Sequence, residues 1–102
     1  MHTREWRVPP DHPAFPGHFP GQPILPGVVL LDQALRFAAE VFALDVARQR
    51  LASTKFLNPV APGETLQFSL QQKPSGSIQF DVRCGERSIA TGSFSPRAEA
   101  ST

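Results

Sequence analysis

An α+β fold is predicted for this chain of 102 residues: one long central helix, then an antiparallel meander. Three observations predict it. The stretch from Gly27 to Arg50 holds no proline and is apolar over most of its circumference. The second half alternates apolar and polar residues with the period of a strand. Short turn signals, "PSG" and "CGER", join those runs as hairpins, which makes neighbouring strands antiparallel. At this length the chain is one domain, residues 1–102, with room for one core. A single sheet curling around its helix is the economical way to bury both.

Taken in order, "EWRVPP" predicts a short edge strand that Pro9 and Pro10 end. Residues 9–27 hold seven of the eleven prolines, which predicts an irregular, stiffened loop whose backbone joins no ladder. Pro26 suits a helix entrance, and the helix is expected from Gly27 to Arg50. Asp32, Gln33, Arg36 and Glu40 fall within one arc of roughly 100°. Val, Leu, Phe and Ala fill the rest, with Asp45 the first polar exception, so the helix is buried on most sides. "LASTKFLNPV" reads as a strand closed by the turn "APGE". In "TLQFSLQ" Leu66, Phe68 and Leu70 share one face, and in "SIQFDVRC" Ile78, Phe80, Val82 and Cys84 do. "SIATGSF" is the last strand, and residues 97–102 are expected to fray.

Composition excludes several classes. Ten basic and nine acidic residues give a net charge of +1, scattered along the chain, so no nucleic-acid-binding stripe is expected. Cys84 is the only cysteine, which excludes a disulfide framework and fits a reducing cytoplasm. "MHTREWRV" lacks the apolar core of a signal peptide, and no run reaches the length of a membrane span. A cytoplasmic protein with no membrane span is the expectation.

Two segments carry more. "GHFPGQPILPGVVLLDQAL" joins His-Phe-Pro-Gly, a proline two residues on, Pro-Gly at the helix entrance, and an acid fourteen residues after the histidine. "KFLNPVAPGETL" follows in the matching order. Together they resemble the signature of the β-hydroxyacyl-acyl-carrier-protein dehydratases of the FabA/FabZ type. The resemblance implies a hot-dog fold and a small stand-alone member, of the kind serving aryl polyene or specialised polyketide pathways.

The same resemblance implies the site. His18 would be the base that takes a proton from C2 of a thioester-bound 3-hydroxyacyl chain. Asp32 would help expel the C3 hydroxyl as water, and the Gly27 amide would hold the thioester carbonyl. Family members carry either Glu or Asp at the acidic position, so Asp32 is FabA-like in that respect. Val28 and Phe19 would contact the substrate, and Val28, Val29, Leu30 and Leu31 would help line an apolar tunnel for the acyl chain. No cofactor is implied, because the substrate rides on the phosphopantetheine arm of an acyl carrier protein. Active sites at a subunit interface are implied too, and hence a homodimer. One departure stands out: the family usually has Gln four residues after the acid, and this chain has Arg36. An ion pair there would hold the Asp32 carboxylate in its charged form, against the needs of an acid, so Arg36 is expected to modulate the site. Arg48, Arg50 and Lys55 form a candidate basic rim for the acidic carrier.

The chemistry stands on the residue types as well. Elimination of water needs a base near C2, an acid near the departing hydroxyl, and donors for an enolate-like oxygen. Imidazole titrates near neutrality, a carboxyl becomes an acid when buried, and free amides at a helix N-terminus suit an oxyanion. The proline-rich loop would hold His18 in place. Other candidates read blandly. Asp11, His12 and His18 fit no common zinc spacing, so no metal is expected. Cys84 and Trp6 are expected to pack, His2 to be unstructured at the terminus, and Ser53 to lack a base. Two rivals remain: a hot-dog acyl thioesterase using Asp32 to activate water, and a non-catalytic hot-dog subunit that grips an acyl carrier.

Overall fold

A computed structural model describes residues 1–11 and 24–97 of the chain. Its elements run β1 (His2–Arg7), α1 (Gly27–Phe42), a 3-10 turn (Val46–Arg48), β2 (Gln49–Phe56), β3 (Thr65–Gln72), β4 (Ile78–Cys84) and β5 (Arg87–Pro96). The five strands form one antiparallel sheet in the order β1-β3-β4-β5-β2. One helix on one antiparallel sheet is the α+β, hot-dog arrangement expected.

The core follows from strand alternation. Leu66, Phe68 and Leu70 of β3, Ile78, Phe80 and Val82 of β4, and Ala90 and Phe94 of β5 are all buried. Burying such side chains supplies most of the driving force for folding. From α1 come Leu30, Ala34 and Ala38, spaced four apart on one side; Phe37 adds an edge-to-face contact with Phe68 at 5.2 Å. Only Val28, Asp32, Arg36 and Glu40 of the helix are exposed, the same spacing on the other side. The helix is therefore buried along one side, half-buried on its flanks and exposed on the other, rather than buried on most sides as its sequence predicts.

Several local expectations are corrected. The helix ends at Phe42, well short of Arg50, because Ala43 turns left-handed (φ 53°) and the Leu44 amide bonds back to the Ala39 carbonyl at 3.1 Å. Asp45 then caps the 3-10 turn, its Oδ1 accepting the Ala47 amide at 3.0 Å, and Gln49 and Arg50 already belong to β2. His2 is not an unstructured terminus: it pairs with Leu70 in the ladder, and its ring lies 5.2 Å from that of Phe42. Arg97 donates its amide to the Arg48 carbonyl at 2.6 Å; the remainder of the expected frayed tail lies outside the described residues.

Two register shifts matter for the site. In β2 the pairing passes from Leu51↔Phe94 to Ser53↔Ser93, so Ala52 is an extra residue. Leu51, Thr54 and Phe56 thus share the core-facing register, and Arg50, Ser53 and Lys55 the outer one. In β5 the pairing passes from Val82↔Ala90 to Arg83↔Ser88, so Ile89 is extra and both it and Ala90 are buried.

Candidate functional site

The N-terminus of α1 opens on an apolar pocket. Pro26 precedes the first helical residue in extended conformation (φ −61°, ψ 141°), and no side chain among the described residues caps the helix. The first turn is closed by Val29 and Leu30 donating to the Pro26 carbonyl at 3.1 and 3.4 Å. The amides of Gly27 and Val28 precede those donors and have no acceptor among the described residues. They carry the positive end of the helix dipole. Beside them lies a cavity of about 560 Å³ whose walls include Leu25, Gly27, Leu30, Phe56, Val60 and Ile89.

Backbone bonds fix the back of this pocket. Leu25 donates to the Val60 carbonyl at 2.8 Å, which ties the approach to the helix onto the segment after β2. Leu57 donates to the Ile89 carbonyl at 2.8 Å, and the Asn58 side chain donates to the Ser88 carbonyl at 2.7 Å. The front is Phe56. A Cβ placed on Gly27 would lie 2.5 Å from Phe56 Cζ and 3.0 Å from each Cε, so the ring meets the glycine tip first. Only glycine leaves room for that approach.

Asp32 sits on the exposed side of α1, five residues after Gly27. Its Oδ2 accepts Arg36 Nε at 2.7 Å, with the two side chains 58% and 69% exposed. The burial expected to favour a protonated Asp32 is therefore not what surrounds it in a single chain, and the ion pair with Arg36 is formed. Val28 is also exposed, at 73%, and does not line the pocket. Of the four residues expected along the acyl tunnel only Leu30 does; Val29 and Leu31 pack against the core instead. His18 and Phe19 lie outside the described residues. Of the basic rim, Arg48 sits in the 3-10 turn, its Nε 3.7 Å from Asp45 Oδ2. Arg50 and Lys55 share the outer face of β2 through the Ala52 bulge.

Sequence reasoning took Glu64 for a turn residue, yet it is a hub. Its Oε1 accepts the Ala61 amide at 2.7 Å, and its Oε2 accepts Arg87 Nη2 at 2.7 Å and the Cys84 thiol at 3.2 Å. The Ala61 amide, with help from Cys84 and Arg87 and against partial burial, holds the Glu64 carboxyl below its usual range. Burial, reinforced by Glu64, pushes the Cys84 thiol up. Arg87 also reaches the Pro59 carbonyl at 3.4 Å, so the cluster braces the strand exit that forms the pocket wall. The signal for it was the acid closing "APGE", which needs a partner once Cys84 is placed on the neighbouring strand face.

Comparisons with known proteins bear on the family and the fold. A family model described as ApeI-like, ApeI dehydratase, matches residues 1–93. The 3-hydroxyacyl-acyl-carrier-protein dehydratase FabZ of Chlamydia trachomatis is 31% identical over 98 residues, covering 83% of this chain and 64% of that protein. The FabZ of Zymomonas mobilis is 36% identical over 85 residues, covering 72% of this chain and 53% of that protein. The chain spans 50–64% of the length of the curated relatives it matches. Among solved structures, the dehydratase heterocomplex ApeI:P from Xenorhabdus doucetiae superposes with a TM-score of 0.76 at 22% identity, covering 96% of both chains. An uncharacterized protein from Erwinia carotovora gives a TM-score of 0.66 at 31% identity, over 92% of this chain and 82% of that one. The fluoroacetyl-CoA thioesterase FlK gives 0.70 at 14% identity, covering 92% and 85%, a likeness of fold alone.

Proposed function

We propose, for a chain that belongs to the ApeI-like dehydratase family, that its site removes water from a 3-hydroxyacyl thioester on an acyl carrier protein to give the trans-2-enoyl thioester. The observation that carries this reading is the uncapped start of α1 at Gly27 opening on an apolar pocket. A thioester carbonyl beside those amides would place its oxygen where negative charge grows as C2 loses a proton. His18 would take that proton. The electron pair left on C2 forms the double bond as the C3 hydroxyl departs, and Asp32 would deliver the proton that makes it water. The apolar walls would hold the acyl chain and keep bulk solvent from the enolate-like state.

Two further features belong to the reading. β2 is the terminal strand of the described sheet, pairs on one side only among the described residues, and carries the exposed Leu51 and Phe56. An unpaired apolar edge of this kind is suited to pairing with a second copy, which would make a homodimer with a site at each subunit boundary. Arg50 and Lys55 on the outer face of that strand would meet an acidic carrier. The Asp32–Arg36 ion pair favours a second reading, a subunit that grips the acyl carrier without turning it over, since the carboxylate already has a partner.

Incubation with a 3-hydroxyacyl carrier protein, followed by intact mass, tests the proposal. Loss of one water, abolished in His18→Ala and Asp32→Asn, is the expected result. Release of the free carrier thiol would favour thioester hydrolysis, and retention of the carrier without turnover would favour the binding subunit.

A further inference from the structure

We propose that Phe56 sets which acyl chains this site accepts, acting as the exposed wall nearest the helix start; this rests on the acyl-thioester reading above. Four of the other apolar walls are fixed. Leu25, Leu30, Val60 and Ile89 are buried within the core cluster, and the Leu25–Val60 and Leu57–Ile89 backbone bonds hold their segments at 2.8 Å each. Close packing of this kind leaves little room for a rotamer change. Phe56 and Leu57 are the large apolar walls left exposed, at 49% and 42%, and Phe56 is the one whose ring reaches Gly27.

Its position gives it leverage. The tip of the ring rests on Gly27, so the phenyl group stands between β2 and the helix amides that would bind the thioester carbonyl. An acyl chain running from those amides into the cavity passes along this ring before it reaches the fixed walls. Chain atoms that fit gain contact with the aromatic face; atoms beyond the space it leaves gain nothing. A buried methylene is worth about fourfold in affinity. Binding should therefore climb with chain length and stop climbing at a length that residue 56 determines.

The test uses S-alkyl pantetheine thioethers, which present a chain but have nothing to eliminate, on the full chain and on Phe56→Ala and Phe56→Trp. Calorimetry should show affinity rising about fourfold per methylene to a plateau, reached at longer chains in Phe56→Ala and at shorter ones in Phe56→Trp. The ratio of kcat/KM between long and short 3-hydroxyacyl carriers should shift the same way. One plateau shared by all three proteins, each folded by circular dichroism, would overturn the assignment, as would no binding to the wild-type protein. Plateaus that move while no 3-hydroxyacyl carrier is dehydrated would leave Phe56 in place and remove the dehydratase reading.

Discussion

Glu64 and Arg87 meet at 2.7 Å across the end of the sheet, joining the turn after β2 to the start of β5. The carboxylate accepts the Ala61 amide and the Cys84 thiol as well, and the Glu64 backbone carbonyl accepts Val8 at 2.8 Å. Because the folded carboxyl titrates below its usual range, the unfolded chain binds the proton more readily. The stability this confers is complete above the unfolded value of about 4.3 and is lost as pH falls through the lower folded value. In Glu64→Gln this acid-dependent component should vanish. Denaturant titrations at neutral and acid pH check it: the variant should be less stable at neutrality, and the gap should close toward acid.

Gly92 faces Phe80 on β4 and Thr54 on β2. A Cβ there would collide with the Ser53 carbonyl and lie 2.5 Å from Phe80 Cζ. The carbonyl belongs to strand backbone and cannot swing aside. Gly92→Ala should destabilise the fold by about 2 kcal/mol or more, read as a lower urea midpoint with an unchanged slope. An effect within experimental error would mean that β2 sits farther from β5 than described.

Ala43 ends the helix at φ 53° with a side chain that disfavours that conformation. Glycine takes it freely, so Ala43→Gly should stabilise the protein by about 0.5–1 kcal/mol. A rise in Tm, with far-UV circular dichroism unchanged, is the expected outcome; a fall would place the helix end elsewhere.

The Asp32–Arg36 pair is exposed, and such pairs contribute about 0–1 kcal/mol. Arg36→Gln should therefore leave the unfolding midpoint nearly unchanged. On the proposed dehydratase reading its effect falls on turnover: freeing the carboxyl should raise kcat several-fold on a 3-hydroxyacyl carrier, while Asp32→Asn should lower it by about 10²-fold. Equal kcat in wild type and Arg36→Gln would show that the ion pair does not restrain the acid.

The parts of the fold that were legible in the sequence are those in which one residue decides its own neighbourhood. Alternation placed Leu66, Phe68 and Leu70 on the core face of β3, and Pro26-Gly27 marked the helix entrance. The helix end was not legible, since Ala43 carries none of the glycine or proline signals and the apolar periodicity runs on through Val46. The site divides the same way. Gly27, Asp32 and Arg36 were singled out by the resemblance to the dehydratase signature. The contact of Phe56 with Gly27 and the convergence of Cys84 and Arg87 on Glu64 depend on strand register, which no local pattern encodes. Val28 lies on the exposed side in the single chain, which its apolar character could not reveal, because that character says nothing about which side of the helix meets the sheet.

Ala52 has a consequence for anyone comparing this chain with its relatives. Being supernumerary in its ladder, it resets the parity of β2 midway, so Leu51 and Phe56 look the same way although an odd number of positions separates them. A relative one residue shorter here would carry the opposite parity, and closing the gap anywhere but at Ala52 would equate its inward residues with the outward ones of this strand. Positions 53–56, Phe56 among them, can be matched between sequences only after that single residue has been accounted for.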